Sequence, residues 1–186
     1  MGKLVMDMSM SLDGFIAGPN DDVERLHHWI FEGQTAHGTN IRDEVLQNTG
    51  AFVMGRRTFE LHPSGPYGLP AFILTHDPNR LEGLKTGRSA VTFVTDGIES
   101  ALKQAEAVAA DKNIGLMGAN IQQQYLSAGL VDEVRIHLIP VLLGGGTRLF
   151  DHLGPKPIAL EQLEVIESTS VTHLIFRVLT ESQSQS

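Results

Sequence analysis

The chain has 186 residues, a length that suits one domain and leaves no room for a second catalytic domain. Its apolar fraction of 41% and its charged fraction of 19% are those of a globular protein, which excludes the disordered and membrane classes. The formal charge of −8 argues against a nucleic-acid-binding surface, and the lack of cysteine excludes disulfides, thiolate metal sites and a cysteine nucleophile.

The first element predicted along the chain is a strand at residues 3–10 (KLVMDMSM). This N-terminal region carries acidic residues and lacks a small-residue cleavage site, so it does not resemble a signal peptide. No apolar run approaches the ~20 residues that a membrane helix needs. We therefore expect a cytoplasmic protein.

Short apolar runs of strand length recur further along the chain, and several are apolar on both faces, as the central strands of a covered sheet are. These runs lie at 51–54, 71–75, 91–95 and 114–117. Helical patterns alternate with the strands, and they lie at 41–48, 99–110 and 121–128. The alternation predicts a mostly parallel sheet with helices on both faces.

From residue 130 onward the pattern changes, because apolar and polar residues alternate and two further strand-like runs, 160–167 and 171–179, are joined by a short polar link. This end is predicted to be an antiparallel hairpin. The fold class is therefore a three-layer α/β/α domain with a mixed, mostly parallel sheet, and we expect it to span residues 1–180. Residues 181–186 are poor in apolar side chains and are predicted to be disordered.

Two loops that contain glycine follow predicted strands. Residues 11–20 (SLDGFIAGPN) come after the first strand, and a loop in that position is where open α/β sheets bind ligands. The pair Asp13-Gly14 is also an ordinary turn sequence, so the pair alone does not choose between a site and a turn. The glycines at 144–146 are consistent with a flexible loop.

Two strand-to-helix turns carry residues suited to phosphate. Gly55 leads into a predicted helix with Arg56, Arg57 and Thr58, whose guanidinium groups and free N–H groups fit phosphate oxygens. A solvated arginine pair is the alternative. The turn at 118–120 (GAN) also opens a helix, but it lacks the full GxGxxG spacing and could be only a tight turn.

The eight histidines raise the question of a metal site. His27 and His28 are adjacent, so in a helix their side chains point about 100° apart, and no HExxH spacing occurs. We therefore predict no metal. Trp29 and Phe31 on the same segment are expected to line a pocket or to pack in the core.

The chain resembles the reductase domain of riboflavin biosynthesis, and more closely the stand-alone, dihydrofolate-reductase-like relatives of that domain. The resemblance is carried by five segments in order: SLDGFIAGPN, VMGRRTFE, FILTHDP, GAN and GLVDEVRIHLIPVLLGGGTRLF. The resemblance covers residues 3–179. It implies a dihydrofolate-reductase-like fold and NADPH-dependent reduction of a heterocyclic or ribosylamino-pyrimidine-like substrate, as in 5-amino-6-(5-phosphoribosylamino)uracil reductase. It also implies a homodimer, which a long apolar strand at 131–143 would favour if it lay at an exposed edge.

The resemblance also implies a dinucleotide site built from several segments. One loop borders the nicotinamide, one turn receives the adenosine phosphates, a third segment lies by the adenosine, and a second turn cradles the pyrophosphate. The nicotinamide loop holds Ile16, Ala17 and Gly18, and the turn for the adenosine phosphates holds Gly55, Arg56, Arg57 and Thr58. The adenosine segment holds Thr75 and His76, and the pyrophosphate turn holds Gly118, Ala119, Asn120 and Ile121. An arginine beside the ribose favours NADPH over NADH.

Asp13 is our candidate for the catalytic group. We expect it to lie at the mouth of an apolar pocket beside the nicotinamide, where burial would raise its pKa and let it orient the substrate or pass a proton.

Two departures from the related families concern the substrate. The riboflavin reductases carry an acidic residue just before the small-residue turn, where this chain has Met117. Dihydrofolate reductases hold the pterin with a carboxylate on the first helix. The candidates here are Asp21, Asp22, Glu24, Asp43 and Glu44. True dihydrofolate reduction and a non-catalytic NADP-binding module therefore remain alternatives, which cofactor turnover would distinguish.

Overall fold

The structure is a computed structural model that describes residues 2–32, 41–63, 67–84 and 90–180. The predicted disordered tail at 181–186 and the side chain of Phe31 lie outside the described part. Within the described ranges, no helix has the length and apolarity required to cross a bilayer.

The strands follow the predicted apolar runs closely. They are β1 Leu4–Ser11, β2 Phe15–Ala17, β3 Thr49–Gly55, β4 Ala71–Leu74, β5 Val91–Val94, β6 Asn113–Met117, β7 Glu133–Ile139, β8 Thr147–Arg148, β9 Leu160–Glu167 and β10 Thr172–Val178. The helices are α1 Glu24–His27, α2 Trp29–Glu32, α3 Ile41–Asn48, α4 Arg56–Leu61, α5 Asn79–Glu82, α6 Ile98–Ala109 and α7 Ala119–Ser127, with a 3-10 helix at Pro19–Asp21.

The large sheet has the strand order β5-β4-β3-β6-β1-β7-β10-β9. The pairs from β5 to β7 are parallel, whereas β10 runs antiparallel to both β7 and β9. The predicted mixed, mostly parallel sheet with an antiparallel C-terminal hairpin is therefore confirmed. Strands β2 and β8 form a separate antiparallel pair.

One prediction about the sheet is wrong. Strand β7 lies between β1 and β10, so the apolar run at 131–143 does not form an exposed edge. Its apolar residues are instead explained by burial on both faces of a central strand. The edge on this side of the sheet is β9, where Leu160, Leu163 and Val165 are 42%, 39% and 45% exposed.

The two faces of the sheet differ in chemistry. Met6 is fully buried in the core beside the alanines of α6, whose small side chains let the helix lie close to the sheet. Because side chains alternate along a strand, Asp7 and Ser9 are on the opposite face. That face carries polar groups on β1, and a cavity lies against it.

Candidate active site

The predicted dinucleotide segments all follow strands that end at one edge of the sheet. Strands β4, β3, β6, β1 and β7 are successive parallel neighbours, so their carboxyl ends are brought together. This edge is where open α/β sheets bind ligands. Thr75 and His76 follow β4, on the far side of β3 from β6. Thr75 is buried and its Oγ1 accepts a hydrogen bond from the N–H of Asp77, whereas His76 is exposed.

The two strand-to-helix turns contact each other directly. A Cβ placed on Gly118 would lie 2.3 Å from Oγ1 of Thr58, and φ of Gly118 is +90°. Both the close contact and the positive φ therefore require glycine at this position. A Cβ on Gly55 would lie 3.2 Å from Cγ1 of Ile121. The turns at 55–58 and 118–121 are thus packed against each other at their glycines, and helix α7 begins directly after Gly118.

Both arginines of the first turn are ion-paired. Nη2 of Arg57 lies 2.6 Å from Oδ1 of Asp21, and Nη1 of Arg56 lies 2.7 Å from Oε2 of Glu60. The Arg57 side chain is 69% exposed and that of Arg56 is 41% exposed. Exposed ion pairs of this kind contribute little to stability, so a phosphate can displace the carboxylates at small cost.

Asp13 lies in the turn between β1 and β2, where three donors reach its carboxylate. The Ser11 hydroxyl donates at 2.6 Å, the N–H of Leu143 at 3.1 Å and the N–H of Gly144 at 2.7 Å. The Ser11 hydrogen bond, followed by those from the backbone, lowers the pKa of Asp13 to about 2. The expectation of a raised pKa was therefore wrong, because a partly exposed carboxylate with three donors favours the ionised form.

The loop predicted to border the nicotinamide packs against the glycine run. Ile16 and Ala17 are buried in β2, and the N–H of Gly18 donates to the carbonyl of Asp22 at 2.7 Å. A Cβ on Gly146 would lie 2.0 Å from the carbonyl oxygen of Ala17, and φ of Gly146 is +123°. Gly146 is therefore required by a close backbone contact, which is a structural reason beyond flexibility.

A cavity of about 490 Å³ lies on the polar face of the sheet. Strands β1, β3, β6 and β7 form its floor, and residues of α1, α2 and α3 line it from the other side. Its apolar lining includes Trp29, Phe52, Met54 and Met117. Met54 and Met117 immediately precede Gly55 and Gly118, so two residues that line the cavity lie next to the paired turns in the chain.

The polar lining of the cavity includes a cluster of aromatic and titratable side chains. Nε2 of His137 lies 2.9 Å from Oδ1 of Asp7, and its Nδ1 lies 2.7 Å from Nδ1 of His173. The Trp29 ring packs on both imidazoles at centroid distances of 4.5 and 5.1 Å, and its Nε1 donates to Oγ of Ser9 at 2.9 Å. Ser9 and His137 are register partners on β1 and β7.

The charge states of this cluster follow from burial and proximity. Burial lowers the pKa of His173 to about 4, so this ring is neutral near pH 7. Burial would raise the pKa of Asp7, but the charge and hydrogen bond of His137, with Arg135 nearby, lower it below its ordinary value. Burial, followed by the charge of His62, also lowers the pKa of His27, which lines the same cavity.

Comparison with known proteins places this architecture in a family. Residues 2–174 match the sequence profile of the RibD C-terminal domain family. The chain belongs to this family. It is 30% identical over 160 residues to the uncharacterized protein YwjB of Bacillus subtilis (strain 168), an alignment that covers 81% of this chain and 84% of YwjB.

Solved structures with the same fold extend the comparison. A protein from Shewanella sp. PV-4, provisionally described as a riboflavin biosynthesis protein, aligns with a TM-score of 0.76 and 23% identity, covering 96% of this chain and 99% of that one. Dihydrofolate reductase from Enterococcus faecalis, complexed with NADP(H), aligns with a TM-score of 0.65 and 13% identity, covering 96% and 98%. The fold of this RibD C-terminal domain protein is thus dihydrofolate-reductase-like.

The carboxylate of the cavity comes from an unexpected element. Among the described residues that line the cavity, the carboxylate is Asp7 on β1, and none of the five acidic residues proposed from the first helices is among them. Asp21, for example, pairs with Arg57 instead. Met117 does line the cavity, so an apolar side chain occupies the place where the riboflavin reductases carry an acid.

Sequence reasoning missed the Asp7, His137 and His173 cluster. The available clue was a titratable residue at an inward position of an otherwise apolar strand, as in LVMDMSMS and EVRIHLI. Such residues are rarely buried without a partner. The partners could not be named, since they depend on which strands become neighbours. In the described parts of the chain, no group of three or more His, Cys, Asp or Glu side chains is arranged to hold a metal ion.

Proposed function

We propose that this protein is an NADPH-dependent reductase that acts on a C=N or C=O bond of a heterocyclic or sugar-like substrate held in the cavity. The observation that carries the proposal is the position of the cavity beside the paired glycine turns, since Met54 and Met117 line the cavity and are followed directly by Gly55 and Gly118. Membership of the RibD C-terminal domain family supports a reductase, and the shared fold with an NADP(H)-bound dihydrofolate reductase supports the cofactor.

The residues at the sheet edge fit a dinucleotide. Because a Cβ at Gly118 would meet Oγ1 of Thr58, glycine is what lets the two turns pack against each other. A small-residue turn that opens a helix suits a phosphate group. In our proposal Gly118, Ala119, Asn120 and Ile121 hold the pyrophosphate, Gly55 to Thr58 the adenosine phosphates, and Thr75 and His76 the adenosine. When bound, NADPH supplies a hydride to the substrate carbon.

The remaining groups orient the substrate and keep water out. Trp29 and Phe52 give the cavity aromatic walls suited to a flat ring, and Asp7, Ser9 and Arg135 offer hydrogen-bonding groups on its floor. Ile16, Ala17 and Gly18 border the nicotinamide in this proposal. Asp13 holds that loop against the loop at 143–146, and we propose it as a positioning residue since its ionised carboxylate has no proton to give near pH 7.

The direct test is NADPH oxidation with a panel of substrates, each measured with and without enzyme. The panel contains 5-amino-6-(5-phosphoribosylamino)uracil, its dephosphorylated form, and dihydrofolate. We expect turnover of a ribosylamino-pyrimidine. Turnover of dihydrofolate alone would overturn the substrate proposed here, and tight NADPH binding with no turnover of any compound would indicate a binding module instead.

A further inference from the structure

A chain of three titratable side chains crosses three neighbouring strands beside the cavity. Asp7 is on β1, His137 on β7 and His173 on β10, and the two contacts between them are 2.9 and 2.7 Å long. His137 and His173 are 4% and 2% exposed. Asp7 and His137 line the cavity, so the outer end of the chain meets the space proposed for the substrate.

The hydrogen bonds among Asp7, His137 and His173 allow the charge of His137 to change without breaking a contact. The two Nδ1 atoms share one proton, so one ring donates and the other accepts. Neutral His173 donates when Nδ1 of His137 is bare. When His137 carries protons on both nitrogens, His173 can accept at Nδ1 by moving its own proton to Nε2. In both states Nε2–H of His137 donates to Asp7.

Asp7 also has an unsatisfied atom. Its Oδ2 is buried and has no hydrogen-bond partner among the described residues. A buried oxygen of this kind costs free energy unless a donor meets it. The Asp7 side chain as a whole is 22% exposed and lines the cavity. Both ring nitrogens of His137 are already occupied, so Asp7 is the member of the chain through which a proton can reach a ligand.

We propose that Asp7 and His137 form the proton-donating pair of this enzyme, with His173 as the positioning residue behind them. This inference rests on the function proposed above. Reduction of C=X to CH–XH consumes one hydride at carbon and one proton at the heteroatom X. The pair begins with a doubly protonated His137 and an ionised Asp7. The proton on Nε2 of His137 moves to Asp7, and Asp7 gives it to X and is ionised again. His137 is left neutral, and water restores the proton after the product leaves.

The surroundings of the pair favour such a transfer. On the cavity side lies the charge of Arg135, which is the register partner of Asp7. Nε of Arg135 lies 2.6 Å from Oε1 of Glu133. The far side carries neutral His173, and Trp29 covers both imidazoles. Among the described residues, His27 and His62 also line the cavity that the pair faces. Exclusion of water by Trp29 strengthens the electrostatic coupling between Asp7 and His137.

The first test does not depend on activity. In the ¹⁵N spectra of histidine-labelled protein without cofactor, we expect His173 to change from the Nδ1–H to the Nε2–H tautomer when His137 carries protons on both nitrogens. Asp7→Asn should uncouple this change. A His173 ring that keeps one tautomer while the charge of His137 changes would overturn the proton chain, even if the enzyme proves active.

The second test measures the chemical step with a substrate that the panel identifies. Asp7→Asn and His137→Gln should each slow single-turnover reduction by about 10²- to 10⁴-fold, with the Kd for NADPH unchanged. His173→Gln should displace the pH–rate profile with a smaller loss of rate. The matched control is His152→Gln, a histidine with an 85% exposed side chain, which should leave rate and profile unchanged.

The outcomes separate the two proposals. A wild-type rate and pH profile in Asp7→Asn would refute the donor role while leaving the reductase function intact. If the wild-type protein reduces no compound, the proposed function fails, and the tautomer measurement alone then decides whether the proton chain exists. Should Asp7→Asn fail to fold, the wild-type tautomer change and the His173→Gln profile still support or overturn the proposal.

Discussion

Oδ2 of Asp13 accepts a hydrogen bond of 2.7 Å from the N–H of Gly144, which lies 131 residues further along the chain. A second bond, from Leu143 to Oδ1, joins the same two loops. The carboxylate therefore links the loop proposed to border the nicotinamide to the loop that follows β7. This link is the basis of the first two predictions.

Replacement of Asp13 by Asn should slow reduction without displacing the pH–rate profile. The amide keeps one acceptor oxygen where the carboxylate offers two, so one of the contacts to Leu143 and Gly144 is lost. Displacement of the nicotinamide loop by about 1 Å can reduce the rate by up to about a hundredfold. Steady-state kinetics across pH measure this, with Asp151→Asn in an exposed position as the control. A displaced profile would restore Asp13 as a proton donor.

Asp13 should also contribute an acid-sensitive part of stability. Its pKa is lowered from 3.8 to about 2 in the folded chain, so the stabilisation is fully present above about pH 4 and is lost as the pH falls toward 2. Thermal unfolding between these pH values should show a larger loss for the wild type than for Asp13→Asn. Parallel curves for the two proteins would contradict the lowered pKa.

Gly118→Ala should abolish NADPH binding while the protein remains folded at lower temperature. The added Cβ meets Oγ1 of Thr58 at 2.3 Å, and alanine is strained at φ +90°, so the two turns must separate. Titration of protein fluorescence with NADPH measures binding. Gly83→Ala is the matched control, because φ at Gly83 is −69° and a Cβ there meets no atom within 4 Å. Unchanged affinity in Gly118→Ala would remove the proposed pyrophosphate cradle.

Arg56 and Arg57 should make the protein prefer NADPH to NADH. Loss of one charge-assisted contact to the 2′-phosphate should weaken NADPH binding by about tenfold and leave NADH binding unchanged. Asp21→Asn should have the opposite effect, since it frees Arg57 from its present partner. Calorimetric titration of Arg56→Ala and Arg57→Ala with both cofactors measures the preference, with Arg177→Ala at the β9–β10 pair as the control. Equal effects on both cofactors would exclude the proposed phosphate contact.

The homodimer implied by the family resemblance should form through β9 rather than through β7. Leu163 and Val165 on this edge strand are exposed, and unpaired edges with apolar side chains favour association with a second copy. Light scattering should give twice the 20.3 kDa chain mass, and Val165→Lys should give the monomer. Val108→Lys changes an equally exposed valine on α6 and should leave the dimer intact. A wild-type monomer at low concentration would refute the prediction.

The sequence by itself determined most of the elements and the segments that meet at one edge of the sheet. Apolar periodicity marks β3 and β6 as strands and α6 as a helix that buries its alanines, because these patterns reflect which face of each element is covered. The turns at Gly55 and Gly118 follow strands that proved to be parallel neighbours. Their approach at one edge is a consequence of the fold class, so the segments could be named before their contacts were known.

Only the tertiary structure decided which distant groups meet. Strand β7 became central because β10 pairs with it, and local periodicity does not distinguish a central strand from an apolar edge. The pKa of Asp13 is lowered first by its neighbour Ser11 and then by backbone donors that lie about 130 residues away, which the local sequence does not indicate. Asp7, His137 and His173 lie far apart in the sequence, and strand order alone brings them into hydrogen-bonding contact. Burial and charge at a site are properties of its neighbours in space, which a sequence pattern specifies only after the register of the sheet is set.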